Sequence, residues 1–85
     1  MNQINPKIYN LSSRLNIQKN KKGDLFFIID RKSRIIMKDG LRIIEYFKKI
    51  KEIEKKSRFY LKTTAPICSK TKNYLIQHKI FIIEF

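Results

Sequence analysis

One segment of the chain, residues 58–79, contains most of the side chains whose types and spacing suggest chemistry. Within it, residues 64–71 (TAPICSKT) align with the phosphate-binding pattern G-x-x-x-x-G-K-[ST], between a strand-like run and a helix-like run. Thr64 and Ser69 take the places of both glycines. A phosphate-binding loop needs those glycines so that backbone N–H groups can wrap the phosphate, and Pro66 removes one donor. The alignment therefore does not predict a nucleotide-hydrolysing loop.

A weaker anion site remains possible at the start of the helix that follows this loop. The first N–H groups of a helix have no partners within it, and the helix dipole favours a negative charge there. Four side chains at this position would add donors or positive charge: Ser69, Lys70, Thr71 and Lys72. The alternative is purely structural, namely a helix capped by a serine whose lysines are only solvated.

Cys68 lies just before the same helix and close to Lys70, and both features lower the pKa of a thiol. A thiol-dependent enzyme that uses Cys68 is therefore one hypothesis. Against it, the chain has no C-x-x-C pair, and its single histidine, His78, is a helix length away. A lone cysteine in a small domain is also typical of a small buried apolar residue.

Three other residues, Asp24, Asp30 and Lys32, resemble the D-x-K fragment of metal-dependent nucleases, in which carboxylates at strand ends hold magnesium. That fragment normally follows another acidic ligand at a longer spacing, and Asp30 is explained equally well as a turn residue. One cysteine and one histidine do not supply the about four ligands of a structural zinc site. No cofactor or metal is predicted.

Three aromatic residues, Phe26, Tyr60 and Phe81, lie in apolar runs and could stack on RNA bases from the surface of a sheet. A sheet surface that binds RNA exposes such rings and places charged residues between them. Because these runs are continuously apolar, we expect the three rings to lie in the core instead.

The net charge of the 85-residue chain is +13. Such an excess usually indicates a polyanion partner, either a nucleic acid or an anionic surface. However, 15 of the 20 basic residues are lysines, and the chain is also rich in Ile, Asn, Phe and Tyr. All are encoded by A/T-rich codons, so an A/T-rich genome, such as that of an organelle or endosymbiont, explains part of the basicity. Arginine, which matches phosphate and guanine bidentately, occurs only five times.

No apolar run approaches the about 20 residues that cross a bilayer, and the N-terminus lacks the apolar core of a signal peptide. A single cysteine fits a reducing compartment. We therefore expect an intracellular protein without a membrane partner, in the cytoplasm or in an organelle matrix such as the plastid stroma.

The first 22 residues are predicted to form a basic helix or arm. Asn5 and Pro6 are a helix start signal, which predicts a short helix over residues 6–16. Four apolar residues follow helical spacing: Ile4, Ile8, Leu11 and Leu15. The alternative is a disordered arm that becomes ordered on a partner. A turn at residues 20–23 would end this segment.

Residues 24–29 are the clearest strand, apolar on both faces and hence central and covered on both sides. A turn at residues 30–33 would lead into an antiparallel strand at residues 34–37, since consecutive β-branched isoleucines favour a strand. The alternative is a single helix over residues 33–56, in which Gly40 would cost about 1 kcal/mol.

Asp39 is predicted to cap the strongest helix, residues 41–56, which has one apolar and one charged side. A strand at residues 58–63 follows, then a helix at residues 69–78, which could also begin at Pro66. The final apolar run, residues 80–83, predicts a strand buried inside a sheet.

These elements predict a small single α/β domain with the order α-β-β-α-β-α-β. Its core, residues 23–85, would form a mixed, mostly parallel sheet of three to four strands with helices packed on it. Strand–helix–strand units cross over right-handed and give parallel neighbours, which is why most pairs should be parallel.

The leading functional hypothesis is a non-enzymatic domain that binds nucleic acid or a ribonucleoprotein through phosphate contacts. Its expected contributors are Arg31, Lys32, Arg34, Lys38, Lys70 and Lys72. The main alternative is a protein-interaction or accessory subunit whose basicity reflects its genome. The second alternative is the thiol-dependent enzyme.

Overall fold

The computed structural model describes residues 2–85, which form a five-stranded sheet and two helices. The strands are β1 (Asn2–Ile4), β2 (Ile17–Lys19), β3 (Leu25–Ile29), β4 (Phe59–Thr63) and β5 (Ile80–Glu84). They lie across the sheet in that order, with β1–β2 and β2–β3 antiparallel and β3–β4 and β4–β5 parallel. The helices α1 (Met37–Ile53) and α2 (Ser69–Gln77) connect the parallel strands. The predicted α/β class is confirmed, with five strands instead of three or four. The sheet is mixed but not mostly parallel, because the N-terminal strands β1 and β2 add two antiparallel pairs to the two parallel ones.

Both helices pack on the same face of the sheet. Phe47 of α1 stacks on Phe59, with 4.9 Å between ring centroids, and meets Phe27 edge-on at 6.3 Å. Lys72 of α2 forms an ion pair with Glu84 on the same face of β5. Successive right-handed crossovers that advance in one direction across a sheet place both helices on one side. The core therefore lies between the helices and this face, and the opposite face of the sheet carries no helix within residues 2–85.

The two helices are in close contact at Gly40, which is buried inside α1. A Cβ atom at this position would lie 2.9 Å from Cγ2 of Thr71 in α2, which is too close for van der Waals contact. Thr71 is itself fully buried. The glycine that looked unfavourable for a helix is thus explained by packing against the second helix.

The helix predicted for residues 6–16 is wrong. The start signal does operate, since the Asn5 side chain accepts a hydrogen bond from the Lys7 N–H at 3.1 Å, but only a 3-10 helix over Pro6–Tyr9 forms. Asn10 ends it with a left-handed backbone, φ 60°. The buried side follows the three-residue repeat of a 3-10 helix, so Pro6 and Tyr9 are buried and Ile8 is exposed.

The strand predicted for residues 34–37 is also wrong. Met37 already begins α1, and Asp39 lies in its first turn, where its carboxylate accepts a hydrogen bond from the Ile36 N–H at 3.0 Å. Ile35 is fully buried and makes only an isolated parallel bridge with Ile67. The isoleucine pair therefore indicated burial of one residue rather than a strand. The predicted long helix comes closer, although it begins four residues too early.

The sheet also corrects the position of the last strand. β3 is central, as predicted, and Leu25, Phe26 and Phe27 are all buried, but within residues 2–85 helices cover only one of its two faces, so the predicted cover on both sides is wrong. By contrast, β5 lies at the edge of the sheet instead of inside it, and Phe81 is 52% exposed. An apolar run on both faces thus did not distinguish a central strand from an edge strand. Neither helix has the length and apolar character needed to cross a membrane, as far as residues 2–85 are concerned.

The N-terminal residues join the sheet through β1 and β2 and are tied to the end of α1 by Glu54. The Glu54 carboxylate accepts hydrogen bonds from Lys19 Nζ at 2.6 Å and from Tyr9 Oη at 3.0 Å. The bond from Lys19 is the largest cause of a lowered pKa for Glu54, since it outweighs burial, and the bond from Tyr9 lowers the pKa further. Burial and the adjacent carboxylate raise the pKa of Tyr9 to about 12. The division of the chain at residue 22 stays a prediction, but the two parts share one sheet.

Gly40→Ala is expected to lower the free energy of unfolding, because the new methyl group must displace a stiff, buried threonine, at a cost of about 1–3 kcal/mol. The higher helix propensity of alanine offsets about 1 kcal/mol of this cost, so the expected net loss is up to about 2 kcal/mol. Urea unfolding followed by circular dichroism measures the change. Thr71→Ser removes the clashing methyl group, so the penalty of Gly40→Ala should shrink in that background. A Gly40→Ala variant more stable than the wild type would contradict the packing explanation.

Glu54→Gln is expected to lower the free energy of unfolding at pH 7 by about 1 kcal/mol, because it weakens two hydrogen bonds and removes one ion pair. The folded-state pKa of Glu54 lies below its usual value of 4.5, so its stabilisation is present above that pH and is lost as the pH falls through the folded-state pKa. The difference between variant and wild type should therefore narrow below pH 4.5. Glu52→Gln, at an exposed position on α1, is the matched control and should match the wild type.

Candidate nucleic-acid interface

The loops that follow β3 and β4 pair with each other at the edge of the sheet where β3, β4 and β5 end, here called the C-terminal edge. The Ile35 N–H donates to the Pro66 carbonyl at 2.8 Å, and the Cys68 N–H donates to the Ile35 carbonyl at 3.0 Å. This parallel pairing joins the segment that carries Arg31, Lys32, Arg34 and Lys38 to the segment that carries Ser69, Lys70, Thr71 and Lys72. Two groups of basic residues that are distant in sequence thus lie at one edge of the sheet, and α1 and α2 both begin there.

Arg31 holds the shape of the first loop. Its Nη2 atom donates to Asp39 Oδ2 at 2.7 Å and to the Arg34 carbonyl at 3.2 Å, and its Nε atom donates to the Ser33 carbonyl at 3.1 Å. Burial would raise the pKa of Asp39, but hydrogen bonds from the Ile36 N–H and from Arg31 lower it overall. Arg31 therefore acts first as a structural residue, although its guanidinium remains partly exposed.

Thr64 links the start of the second loop to the end of β3. Its hydroxyl donates to Asp30 Oδ1 at 2.8 Å and accepts a hydrogen bond from the Arg31 N–H at 3.2 Å. Thr64, which takes the place of the first glycine in the phosphate-loop pattern, therefore joins the two loops. Together with the pairing of Ile35 and Ile67, this leaves no free loop that could wrap a phosphate.

The predicted contact residues differ in how accessible their side chains are. Lys72 forms a long ion pair with Glu84 at 3.6 Å, and Thr71 is fully buried against α1. Thr71 is therefore not accessible to a ligand, and its prediction as a contact residue is wrong. The exposed members that form no ion pair within residues 2–85 are Lys32, Arg34, Lys38 and Lys70, and Ser69 is exposed beside them.

Cys68 occupies the N-cap position of α2 and is partly exposed. The pKa of its thiol is lowered first by the backbone N–H of Thr71, then by that of Lys70, and additionally by the charge of Arg34. The single histidine of the chain does not lie beside it, because the ring of His78 is at the other end of α2, where Nδ1 donates to the Tyr74 carbonyl at 2.8 Å. The position at the helix N-terminus favours the thiolate, but no cysteine–histidine pair forms.

The residues of the nuclease-like fragment do not converge. Asp24 precedes β3 and accepts a hydrogen bond from Asn20 Nδ2 at 3.2 Å, whereas Asp30 follows β3 and bonds Thr64. Six residue steps along the extended chain separate them by about 20 Å, given a rise of about 3.3 Å per residue. No group of three or more His, Cys, Asp and Glu side chains within residues 2–85 is arranged to hold a metal ion.

Sequence analysis missed an arginine-lined cleft beside the C-terminal edge. The cleft has a volume of about 420 Å³ and lies between α1, the end of β3 and residues 14–16. Its polar lining includes Arg14, Arg31, Arg42, Asp30 and Asp39. Asn16 also lines it, and its buried Oδ1 atom has no hydrogen-bond partner within residues 2–85. The signal available in the sequence was the identity of these residues as arginines, because A/T-rich codons explain an arginine less readily than a lysine.

The open face of the sheet carries a row of aromatic rings from Phe26, Tyr60 and Phe81. Phe26 and Tyr60 stack with 4.6 Å between ring centroids, and Tyr60 and Phe81 lie at 5.3 Å. Phe26 is buried, but Phe81 is 52% exposed, so the expectation that all three lie in the core is wrong. Because the rings stack on one another, their faces are largely occupied, and bases could not lie flat on them as on a typical RNA-binding sheet.

Comparison with known proteins finds no matching protein family and no matching curated protein. Among solved structures, the chain is similar to a repair endonuclease from Pyrococcus abyssi, with a TM-score of 0.67 and 13% identity over 82% of this chain and 31% of that one. It is also similar to EndoMS in its apo form, with a TM-score of 0.63 and 15% identity over 84% of this chain and 32% of that one. The chain thus spans about a third of each protein. At this identity the similarity shows a shared fold.

The Cys68 thiol is expected to react with iodoacetamide with an apparent pKa below the usual value of 9.0, because two N–H groups and Arg34 stabilise the thiolate. Reaction rates measured from pH 6 to pH 10 test this, with the urea-unfolded chain as reference. Arg34→Gln should raise the apparent pKa, whereas Lys32→Gln, in the same loop, should change it less. A folded-state pKa equal to that of the unfolded chain would refute the thiol activation.

Proposed function

We propose that the chain is a non-enzymatic nucleic-acid-binding domain that contacts the phosphate backbone through its C-terminal edge. The observation that carries this proposal is the position of the arginines. Four of the five, Arg14, Arg31, Arg34 and Arg42, lie at this edge or line the cleft beside it. Codon bias accounts for many lysines at any position, but it gives no reason for arginines to collect in one place.

The electrostatics of this edge suit a phosphate backbone. Four lysines lie at or near the same edge: Lys32, Lys38, Lys70 and Lys72. The carboxylates there are Asp30, Asp39 and Glu84, each already bonded to a neighbouring side chain. The N-termini of α1 and α2 add partial positive charge on the same side. Cations thus outnumber carboxylates on a surface fixed by paired loops, which favours contacts that do not depend on sequence.

The fold gives further support. One similar structure is a repair endonuclease and the other is EndoMS, so this fold occurs in enzymes that act on nucleic acids. The proposal is limited to binding because Asp24 and Asp30 are separated by β3. Metal-assisted cleavage needs carboxylates that share a metal ion.

Binding is expected to weaken steeply with salt and to vary little with sequence. Fluorescence anisotropy should be measured with mixed-sequence single-stranded RNA, single-stranded DNA and duplex DNA between 50 and 200 mM salt, over which about six phosphate contacts would cost on the order of 10³ in affinity. The triple variant Lys32→Gln, Arg34→Gln and Lys38→Gln should reduce the slope of log K against log salt by about 1 per lost contact.

The matched control carries the same charge change away from this edge: Lys21→Gln, Lys49→Gln and Lys56→Gln, all at exposed positions. The control should retain most of the slope. No binding at 50 mM salt would sink the proposal, and equal losses in both triple variants would show that only net charge matters. Arg14→Gln with Arg42→Gln then tests whether the cleft takes part.

A second candidate function, a protein-interaction or accessory subunit, is favoured by the edge strand β5. Phe81, Ile83 and Phe85 are 52%, 36% and 60% exposed on its outer side, and Lys62 Nζ lies 4.9 Å from the centroid of the Phe85 ring. Exposed apolar edge strands commonly pair with another chain. This reading is preferred if nucleic acid is not retained at low salt.

A further inference from the structure

The second large pocket of the molecule lies at the opposite edge of the sheet, where β4 and β5 begin. It has a volume of about 600 Å³, within the range of small-molecule sites, and is formed by the C-terminal half of α1, the end of α2 and the two strand starts. Its apolar lining consists of Ile44, Phe47, Phe59, Ile76, Ile80 and Phe81. We call it the N-terminal pocket, since it lies at the N-terminal ends of these strands.

The polar lining of the N-terminal pocket has one sign of charge. Five cationic side chains line it: Lys48, Lys51, Lys55, Arg58 and Lys79. None of the seven acidic residues of the chain contributes to the lining. In this respect it differs from the arginine-lined cleft, where Asp30 and Asp39 offset part of the positive charge.

Helix dipoles explain only part of this arrangement. The C-termini of α1 and α2 favour nearby cations, which accounts for lysines in the last turns of α1. Arg58, however, precedes β4, and Lys79 follows α2 in a left-handed conformation, φ 64°, where glycine or asparagine is usual. The backbone gives no reason for a lysine at position 79. His78 also lines the pocket, with its Nδ1 donating to the Tyr74 carbonyl.

The floor of the pocket is apolar, and one side chain at its rim is accessible. Ile76 is 52% exposed, whereas Phe47 and Phe59 on the floor belong to the core, and the ring of Phe81 lies on the open face of the sheet beside Tyr60. A ligand that covered Ile76 would remove apolar surface from water, at about 25 cal/mol per Å². A ligand with only a charged group would leave that surface uncovered, and one without charge would not use the cations.

We infer that the N-terminal pocket binds a small amphiphilic anion, with an apolar chain or ring that covers Ile76 and the apolar floor and a terminal phosphate or carboxylate that the surrounding cations hold. This binding is separate from nucleic-acid binding, because the pocket and the C-terminal edge lie at opposite ends of the parallel strands.

The probe for this inference is n-octyl phosphate below its micelle concentration, titrated into the full chain and followed through the isoleucine methyl signals in carbon–proton NMR spectra. Saturable shifts of Ile44, Ile76 and Ile80 are expected. Inorganic phosphate and 1-octanol at the same concentrations should bind at least tenfold more weakly. Octanoate, run as a fourth arm, shows whether a carboxylate head is accepted as well as a phosphate head. Equal binding of inorganic phosphate or of 1-octanol would overturn the inference.

Two variants locate the site. Lys51→Gln with Lys55→Gln should raise the dissociation constant for octyl phosphate about tenfold, and Ile76→Glu should abolish binding by placing a carboxylate in the pocket. All three positions are exposed, so the fold should persist, which circular dichroism checks. The matched control, Lys49→Gln with Lys56→Gln, removes the same charge outside the pocket and should bind as the wild type. Equal weakening in both double variants would overturn the inference.

Discussion

The pairing of Ile35 with Ile67 is the contact on which the arrangement of the C-terminal edge depends. It continues the parallel alignment of β3 and β4 beyond the ends of both strands, through two backbone hydrogen bonds. Ile35 is fully buried, so the pairing is fixed by packing as well as by hydrogen bonds. Without it, the basic residues after β3 and those at the start of α2 would lie on two loops joined only near their first residues, through Thr64. The contact therefore converts two short charged segments into one surface.

The same geometry fixes where the helices point. Each helix starts at the C-terminal edge, because each follows a parallel strand through a short loop, and the close contact of Gly40 with Thr71 holds the two starts together. Their positive dipole ends thus lie side by side next to Arg34 and Lys70. Because both crossover helices lie on one face of the sheet, the other face has no helix to cover it within residues 2–85. Phe26, Tyr60 and Phe81 lie against one another on that face and so reduce the apolar surface that it exposes to water.

Sequence patterns predicted the elements whose signal is local. Residues 58–63 and 69–78 were placed within one or two residues, because a strand and the helix that follows it are encoded by neighbouring residues. The predicted serine cap is wrong, since Ser69 is the first residue of α2 and Cys68 is its N-cap, without a side-chain cap bond. The errors concern residues whose role is set by distant partners. Ile35 was assigned to a strand because the sequence does not show that it packs against Ile67, 32 positions away. Gly40 was counted as unfavourable for a helix because the sequence does not show that Thr71, on another helix, packs against it. Arg14 and Arg42 could not be linked before the cleft between them was known.

A similar distinction applies to charge. A net charge of +13 is a property of the whole chain, and codon bias can produce it without any partner. Where the charges lie carries more information, because a fold distributes them without regard to codons. Here the arginines collect with two helix N-termini at one end of the parallel strands, next to carboxylates that are already bonded. At the other end, lysines surround an apolar pocket that no carboxylate lines. The two ends thus offer different chemistry: an extended polar surface suits a backbone of repeated phosphates, whereas a concave apolar one suits a single charged group attached to an apolar body.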